Sequence, residues 1–307
     1  MTKQQLLQKV KNEIALRKSA SEKKSEQAYH DALKNPAFHA NDTNIRTVNL
    51  QIAKLEFQNK PTQTEQELLR VLNKERAGIL KNMNLKESDL TPNYVCTKCN
   101  DTGICDGKYC KCFTSLVEKY LREDCCDSVN PEHTFRNSKT VEGDTQTVYE
   151  KLEKWCQKYP NKIINITLYG NTGTGKTYLT ECITNELINK GVVVQYMTAF
   201  TFNNLATKYH TTFDETKNNY IDTLLDCDVL VIDDLGTEPI NKNVTLEYLY
   251  LVINERQQNN RPTIITTNLS LEGVLSRYGE RVFSRLNNKQ LSLAVSLKGN
   301  DMRLNKK

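Results

Sequence analysis

The chain has 307 residues, 38% hydrophobic and 26% charged, and 42 Lys+Arg against 37 Asp+Glu give a net charge of +5. This is the composition of a globular protein with room for one large domain or two smaller ones. No run of 18 apolar residues exists, so no membrane-spanning helix is expected, and Met1-Thr2-Lys3-Gln4-Gln5 lacks a signal-peptide core, so the cytoplasm is expected. Ten cysteines in that compartment point to reduced thiols or a metal, not to disulfides.

The charge excess sits at one end. Residues 1–95 hold 16 Lys+Arg and 11 Asp+Glu, whereas residues 96–307 hold 26 of each. The second part is therefore no general polyanion binder, and nucleic acid must be met there by a local patch or through assembly.

Residues 1–95 read as polar helices. Leu6, Leu7, Val10 and Ile14 recur at helical spacing, as do Val48, Ile52 and Leu55. Thr64 with Glu67 predicts a capping box ahead of Leu68, Leu69, Leu72, Ile79 and Leu80. Residues 18–41 carry few apolar side chains and are expected to be partly mobile. Such narrow stripes suit helices completed by a partner.

Next come Cys96-x-x-Cys99 and Cys110-x-Cys112 around a glycine-containing turn. Four thiolates at this spacing suit tetrahedral Zn²⁺, held by Cys96, Cys99, Cys110 and Cys112. Cys105 is the spare, reading as a small apolar residue. Residues 113–162 read as a connector: a helix over 115–122, a loop at Pro131-Glu132-His133-Thr134-Phe135, and a helix over 148–155.

The most specific stretch is Gly170-Asn171-Thr172-Gly173-Thr174-Gly175-Lys176-Thr177, which fits G-x-x-x-x-G-K-[ST]. Its glycines let backbone N–H groups turn toward phosphate oxygens, Lys176 supplies charge to the β- and γ-phosphates, and the Thr177 hydroxyl ligates Mg²⁺. The β-branched run before it predicts a buried strand, and residues 178–188 predict a helix whose N-terminal end favours anions. A strand over 192–197 and helices at about 200–208 and 215–225 follow.

Val229-Leu230-Val231-Ile232-Asp233-Asp234 is an apolar strand ending in two carboxylates. Beside a phosphate loop, Asp233 is expected to hold Mg²⁺ through water and Asp234 to orient the attacking water. A helix over 245–257 precedes a strand over 262–268 that ends at Asn268. Arg281 and Arg285 then fall on one helical face, a last strand covers 290–297, and Gly299-x-x-x-Arg303 lies near the end.

Taken in order, Cys96-x-x-Cys99 with Asp101-Thr102-Gly103 and Cys110-x-Cys112, residues 170–177, Asp233-Asp234-Leu235-Gly236-Thr237-Glu238, Thr267-Asn268, Gly279-Glu280-Arg281 with Arg285, and Gly299-x-x-x-Arg303 resemble a known set. The sequence resembles the bacterial and phage replicative helicase loaders of the DnaC/DnaI type. These are AAA+ ATPases related to the initiator DnaA and the transposition helper IstB. The resemblance implies an α/β P-loop fold with a parallel five-stranded sheet in the order 5-1-4-3-2, without a helical lid. A helical N-terminal module with a zinc-binding turn would precede it. It implies a helicase-binding module at 1–95, a zinc turn and helix at 96–125, and an ATPase domain at 126–307. It makes Asn268 the sensor of the γ-phosphate, Arg285 a finger reaching a neighbouring subunit's ATP with Arg281 in support, and Arg303 a second sensor.

The function implied is ATP-dependent loading of a hexameric replicative DNA helicase onto single-stranded DNA, with ATP, Mg²⁺ and Zn²⁺ as cofactors and self-assembly through the ATPase domain. Asp233-Asp234 stands where many AAA+ proteins have Asp-Glu, which implies weak hydrolysis stimulated by a partner or single-stranded DNA, with either Asp234 or Glu238 positioning the water. Two alternatives remain: an IstB-like helper that recruits a transposase, and a non-hydrolysing adaptor switched by bound ATP.

Overall fold

The computed structural model describes residues 2–125, 128–138, 144–214 and 217–298. They form two compact units, Val10–Phe113 and Met1–Lys9 with Thr114–Lys307.

The unit Val10–Phe113 is built from most of α1 (Lys3–Leu33) with α2 (Pro36–Phe57) and α3 (Gln63–Asn82). Residues 18–33 do not loosen: α1 is continuous through them. Their Ala, Lys, Glu, Ser and Gln side chains permit helix without an apolar stripe, and pairs such as Lys18–Glu22 support it. The break comes at Asn35-Pro36, where the Asn35 side chain accepts from the Ala37 and Phe38 N–H groups and Pro36 opens α2. The capping box at Thr64 does not form. α3 begins two residues earlier than that box requires, at Gln63 after Thr62, and Gln66 donates to the Thr62 hydroxyl at 3.0 Å.

Ala32, Phe38 and Leu80 make the core of this unit, with Tyr29, Leu33, Ile79, Met83, Leu85 and Leu90 packed around it. Beside them buried Asp42 accepts from Tyr29 and from Arg46 and Arg76, both at 2.8 Å. Burial pushes the Asp42 carboxyl up, but the hydrogen bonds from Tyr29 and Arg76 and the charges of Arg46 and Arg76 outweigh it and hold it below the usual carboxylate range. The unit closes with a short antiparallel ribbon, β1 (Ile104–Cys105) and β2 (Lys108–Tyr109), ahead of α4 (Lys111–Cys125).

The larger unit carries α5 (Asp144–Lys158), β3 (Asn165–Tyr169), α6 (Lys176–Asn189), β4 (Val194–Thr198), α7 (Ala199–Thr211), α8 (Asn219–Asp226), β5 (Val229–Leu235), α9 (Glu247–Gln258), β6 (Thr263–Thr267), α10 (Leu271–Leu286) and β7 (Ser292–Ser296). Its strands form one parallel sheet in the order β4-β5-β6-β3-β7. Counted along this unit, that is 2-3-4-1-5, the expected order read from its other edge. The central strands bury every residue but Tyr169 and Asp234, as helices on both faces require.

Two features shape the site at the strands' C-terminal ends. β5 and β6 lose register between Ile232 and Leu235, where β5 spends one residue more than β6. This bulge, with Asp234 at φ 58°, brings two consecutive carboxylates to one end of the sheet instead of opposite faces. At the other end Arg256, 1% exposed, donates to the carbonyls of Leu224 (2.6 Å), Cys227 (2.9 Å) and Pro262 (2.8 Å) and to the Thr263 hydroxyl (3.2 Å). It ties the end of α8 to the starts of β5 and β6.

Candidate nucleotide and metal sites

The phosphate loop leaves β3 at Gly170. A Cβ there would lie 2.3 Å from the Leu297 carbonyl oxygen, so the first position of the motif admits only glycine beside β7. Gly173 and Gly175 turn the loop at φ 76° and 86°, and Thr174 fastens it by donating to the Asn171 carbonyl at 2.9 Å. Lys176, the first residue of α6 and 5% exposed, donates to the carbonyls of Gly170 (2.8 Å) and Asn171 (2.7 Å). Its ammonium is thus held across the mouth of the loop.

Thr177 Oγ1 donates to Asp233 at 3.0 Å, joining the loop to β5. Asp233 is buried and also accepts from the hydroxyls of Tyr196 (3.0 Å) and Thr266. Thr266 in turn accepts from the Asp234 N–H at 2.8 Å, which fixes the bulge. A cavity of about 450 Å³ opens here. Its lining combines Thr172, Gly173, Gly175, Lys176 and Thr177 of the phosphate loop with Asp234, Asn268, His133 and Tyr178. The donors fit a magnesium nucleotide: N–H groups and a cation for phosphate, and a hydroxyl beside a carboxylate for a hard cation.

Glu238, the alternative water-positioning residue, is elsewhere. It is 1% exposed and accepts from the Gly236 N–H at 2.9 Å and from Tyr278, with Arg277 at 4.0 Å. Its side chain braces the turn after β5 against α10 and does not line the cavity. Of the two candidates, only Asp234 faces the nucleotide site.

In the other unit Cys96, Cys99, Cys110 and Cys112 bring their sulfurs within 4.8 Å of one another. The closest pairs, Cys99–Cys112 at 3.4 Å and Cys96–Cys110 at 3.7 Å, suit tetrahedral zinc, whose Zn–S bonds of about 2.3 Å put sulfurs roughly 3.8 Å apart. Burial pushes the Cys99 thiol up, but the Gly103 backbone N–H and the thiols of Cys112, Cys96 and Cys110 outweigh it and bring it down to about 6, while burial and the thiols of Cys99, Cys96 and Cys110 push the Cys112 thiol up. The Asp101 carboxylate shapes the knuckle by accepting from the N–H groups of Val95 (2.8 Å) and Cys96 (2.9 Å). Cys105 stands outside the four and bonds the Lys98 carbonyl.

Residues 138–307 match the family described as IstB-like ATP binding protein. The chain belongs to this family. It is 28% identical over 156 residues to the "Replicative helicase loader DnaC" of Buchnera aphidicola subsp. Acyrthosiphon pisum, covering 50% of this chain and 62% of that protein. To the DnaC of Escherichia coli K12 it is 24% identical over 161 residues, covering 52% and 65%. The chain thus spans a little under two thirds of these relatives' length. Among solved structures, "Crystal structure of the DnaC helicase loader" aligns with a TM-score of 0.47 at 23% identity, over 56% of this chain and 97% of that one. The likeness expected from the motifs, to loaders of the DnaC/DnaI type, is therefore found.

Arg281 and Arg285 do not line the cavity in this IstB-like chain. Arg285 lies beyond a break in α10 at Gly279 and donates to Asn254 Oδ1 at 3.0 Å. Arg281 and Arg285 both sit over the Tyr250 ring, at 5.9 and 5.8 Å. Gly299 and Arg303 lie outside the described residues. Sequence reasoning missed His133, Tyr196 and Thr266. A single histidine in a polar loop and hydroxyls inside apolar strands have no spacing that marks them.

Proposed function

We propose that this protein is an ATP-dependent loader of a hexameric replicative DNA helicase onto single-stranded DNA, working in the cytoplasm. The observation that carries the reading is the joined site of Lys176, Thr177, Asp233, Asp234 and Asn268 in a chain whose curated relatives bear the name replicative helicase loader. In this reading residues 170–177 hold the triphosphate, Thr177 and Asp233 hold Mg²⁺, Asp234 orients water, and Asn268 contacts the γ-phosphate. The metal would neutralise phosphate charge. Arg285, and Arg303 with it, would act in the assembled ATPase, Arg285 on a neighbouring subunit's nucleotide. Zinc held by the four cysteines would stabilise the turn at 96–125, residues 1–95 would grip the helicase, and residues 126–307 would hydrolyse ATP and assemble.

Asp234 is one methylene shorter than glutamate, so turnover by the isolated protein is expected to be weak and to rise with helicase or single-stranded DNA. The match to the IstB-like family favours one second reading, a helper that recruits a transposase. Affinity capture with the full chain from its native lysate, with and without ATP, separates the two. Recovery of a replicative helicase supports loading. Recovery of a transposase without helicase overturns it.

A further inference from the structure

Beyond its break at Gly279, α10 carries two cations, Arg281 and Arg285, and both meet α9. The backbone at Arg285 is fixed. Val282 and Leu286 of the same helix segment are buried, and the Ser292 hydroxyl at the start of β7 donates to the Arg285 carbonyl at 3.0 Å. The side chain is tied by its inner nitrogen: Nε donates to Asn254 Oδ1 of α9 at 3.0 Å, and the guanidinium lies 5.8 Å from the centre of the Tyr250 ring. Arg281 lies over the same ring at 5.9 Å and makes no hydrogen bond among the described residues.

What the two side chains leave unused points to a ligand. The terminal nitrogens of Arg285 bond nothing among the described residues, and neither is buried. An arginine that only ties elements together spends its fork on them, as Arg256 does on the Leu224, Cys227 and Pro262 carbonyls. Nor is a carboxylate paired with Arg281 or Arg285 among the described residues. Two like charges over one ring repel, and an anion taken up between them relieves that repulsion.

We propose that Asn254 and Tyr250 are positioning residues: they hold Arg285 by its inner nitrogen and over a ring, and leave its fork to grip the phosphates of a nucleotide carried by a second copy of this chain. This rests on the reading that Arg285 acts on a neighbouring subunit's ATP. A guanidinium fixed at Nε presents two parallel donors in one plane, the geometry for bidentate contact with phosphate oxygens. Neither Asn254 nor Tyr250 lines the cavity of its own chain, so both act on turnover and not on ATP binding by an isolated subunit.

The test measures ATPase of the full chain with helicase and single-stranded DNA present, and ATP affinity of the full chain alone. Asn254→Leu keeps the volume and removes the acceptor; kcat should fall roughly 10- to 100-fold, the scale of a small misplacement of a catalytic group, while ATP affinity stays within about twofold. Tyr250→Ala should fall likewise, and Tyr250→Phe should restore the turnover, since the tyrosine hydroxyl bonds nothing among the described residues. Mixing separates positioning from general damage. Asn254→Leu mixed with Lys176→Ala should regain turnover, because one interface then joins Lys176 of the first to Asn254 and Arg285 of the second. Asn254→Leu mixed with Arg285→Ala should regain none, because both defects lie on the same side of the interface. Thermal melts check folding, and should Tyr250→Ala fail to fold, the Asn254→Leu mixtures carry the comparison. Full turnover by Asn254→Leu and Tyr250→Ala beside an inactive Arg285→Ala would overturn the positioning and keep Arg285 as the finger. Recovery in the mixture with Arg285→Ala, or weakened ATP binding by Asn254→Leu alone, would also overturn it and assign Asn254 to its own subunit's site. Full turnover by Arg285→Ala, or none by wild type, removes the reading on which the proposal rests and the proposal with it.

Discussion

Replacing Glu238 and Asp234 in turn separates a structural carboxylate from a site carboxylate. Glu238→Ala deletes a group that is 1% exposed, and leaves the Gly236 N–H and the Tyr278 hydroxyl without their acceptor. Bonds to a charged group are worth about 1.5–3 kcal/mol each and are not additive. The Arg277 pair, at 4.0 Å with that side chain 32% exposed, adds little after solvent screening. A loss of about 3 kcal/mol follows, which in a unit of this size lowers Tm by roughly 6–12 °C. ATP turnover per folded molecule should stay within about twofold. Asp234→Ala should do the reverse, with Tm within about 2 °C of wild type and turnover down by about 10²-fold, the scale of losing a group that positions the attacking water. Calorimetric melts and coupled-enzyme ATPase assays, with helicase and single-stranded DNA present, measure both quantities. A Glu238→Ala protein as stable as wild type but without turnover would refute this assignment of the two carboxylates.

Three further outcomes are expected. Asp42 has a depressed pKa in the folded protein, so its contribution is present above the unfolded-state value and lost as pH falls through the folded-state value; stability of the helical unit should therefore decline below about pH 4, and Asp42→Asn, followed by circular dichroism against pH, should flatten that decline. Purified protein should carry one zinc per chain by elemental analysis, lost in Cys96→Ser or Cys112→Ser and kept in Cys105→Ser; zinc well below one per chain contradicts the cysteine reading. Arg285→Ala and Lys176→Ala should each lack ATPase alone and recover part of it when mixed, because one composite interface regains both side chains; no recovery contradicts action across subunits.

The parts legible in the sequence were those with a fixed period or spacing. The phosphate loop, the apolar run into Asp233-Asp234 and the strand ending at Asn268 each announce a strand whose tip carries chemistry, and the parallel sheet gathers those tips. The cysteine pairs are legible for the same reason, since five thiols in 17 residues have few other uses. Illegible features depend on contacts remote in sequence. His133 meets Glu181 across 48 residues, and Arg256 reads as a solvated helical residue until three strand and helix ends surround it. The β5 bulge leaves no compositional trace, yet it decides that Asp234 and not Glu238 faces the cavity. The polar run at 18–33 shows the opposite error, because scarcity of apolar residues weakens packing on other elements without weakening the helix itself.

The central claim is ATP-controlled helicase loading, and a reconstituted loading assay tests it most directly. Single-stranded DNA coated with single-strand-binding protein is incubated with the cognate hexameric helicase and this protein, and helicase retained on the DNA is counted. The account predicts retention with wild-type protein and ATP, and little with Lys176→Ala or without ATP. Retention that is the same with no protein added, or the same with Lys176→Ala as with wild type, would contradict it.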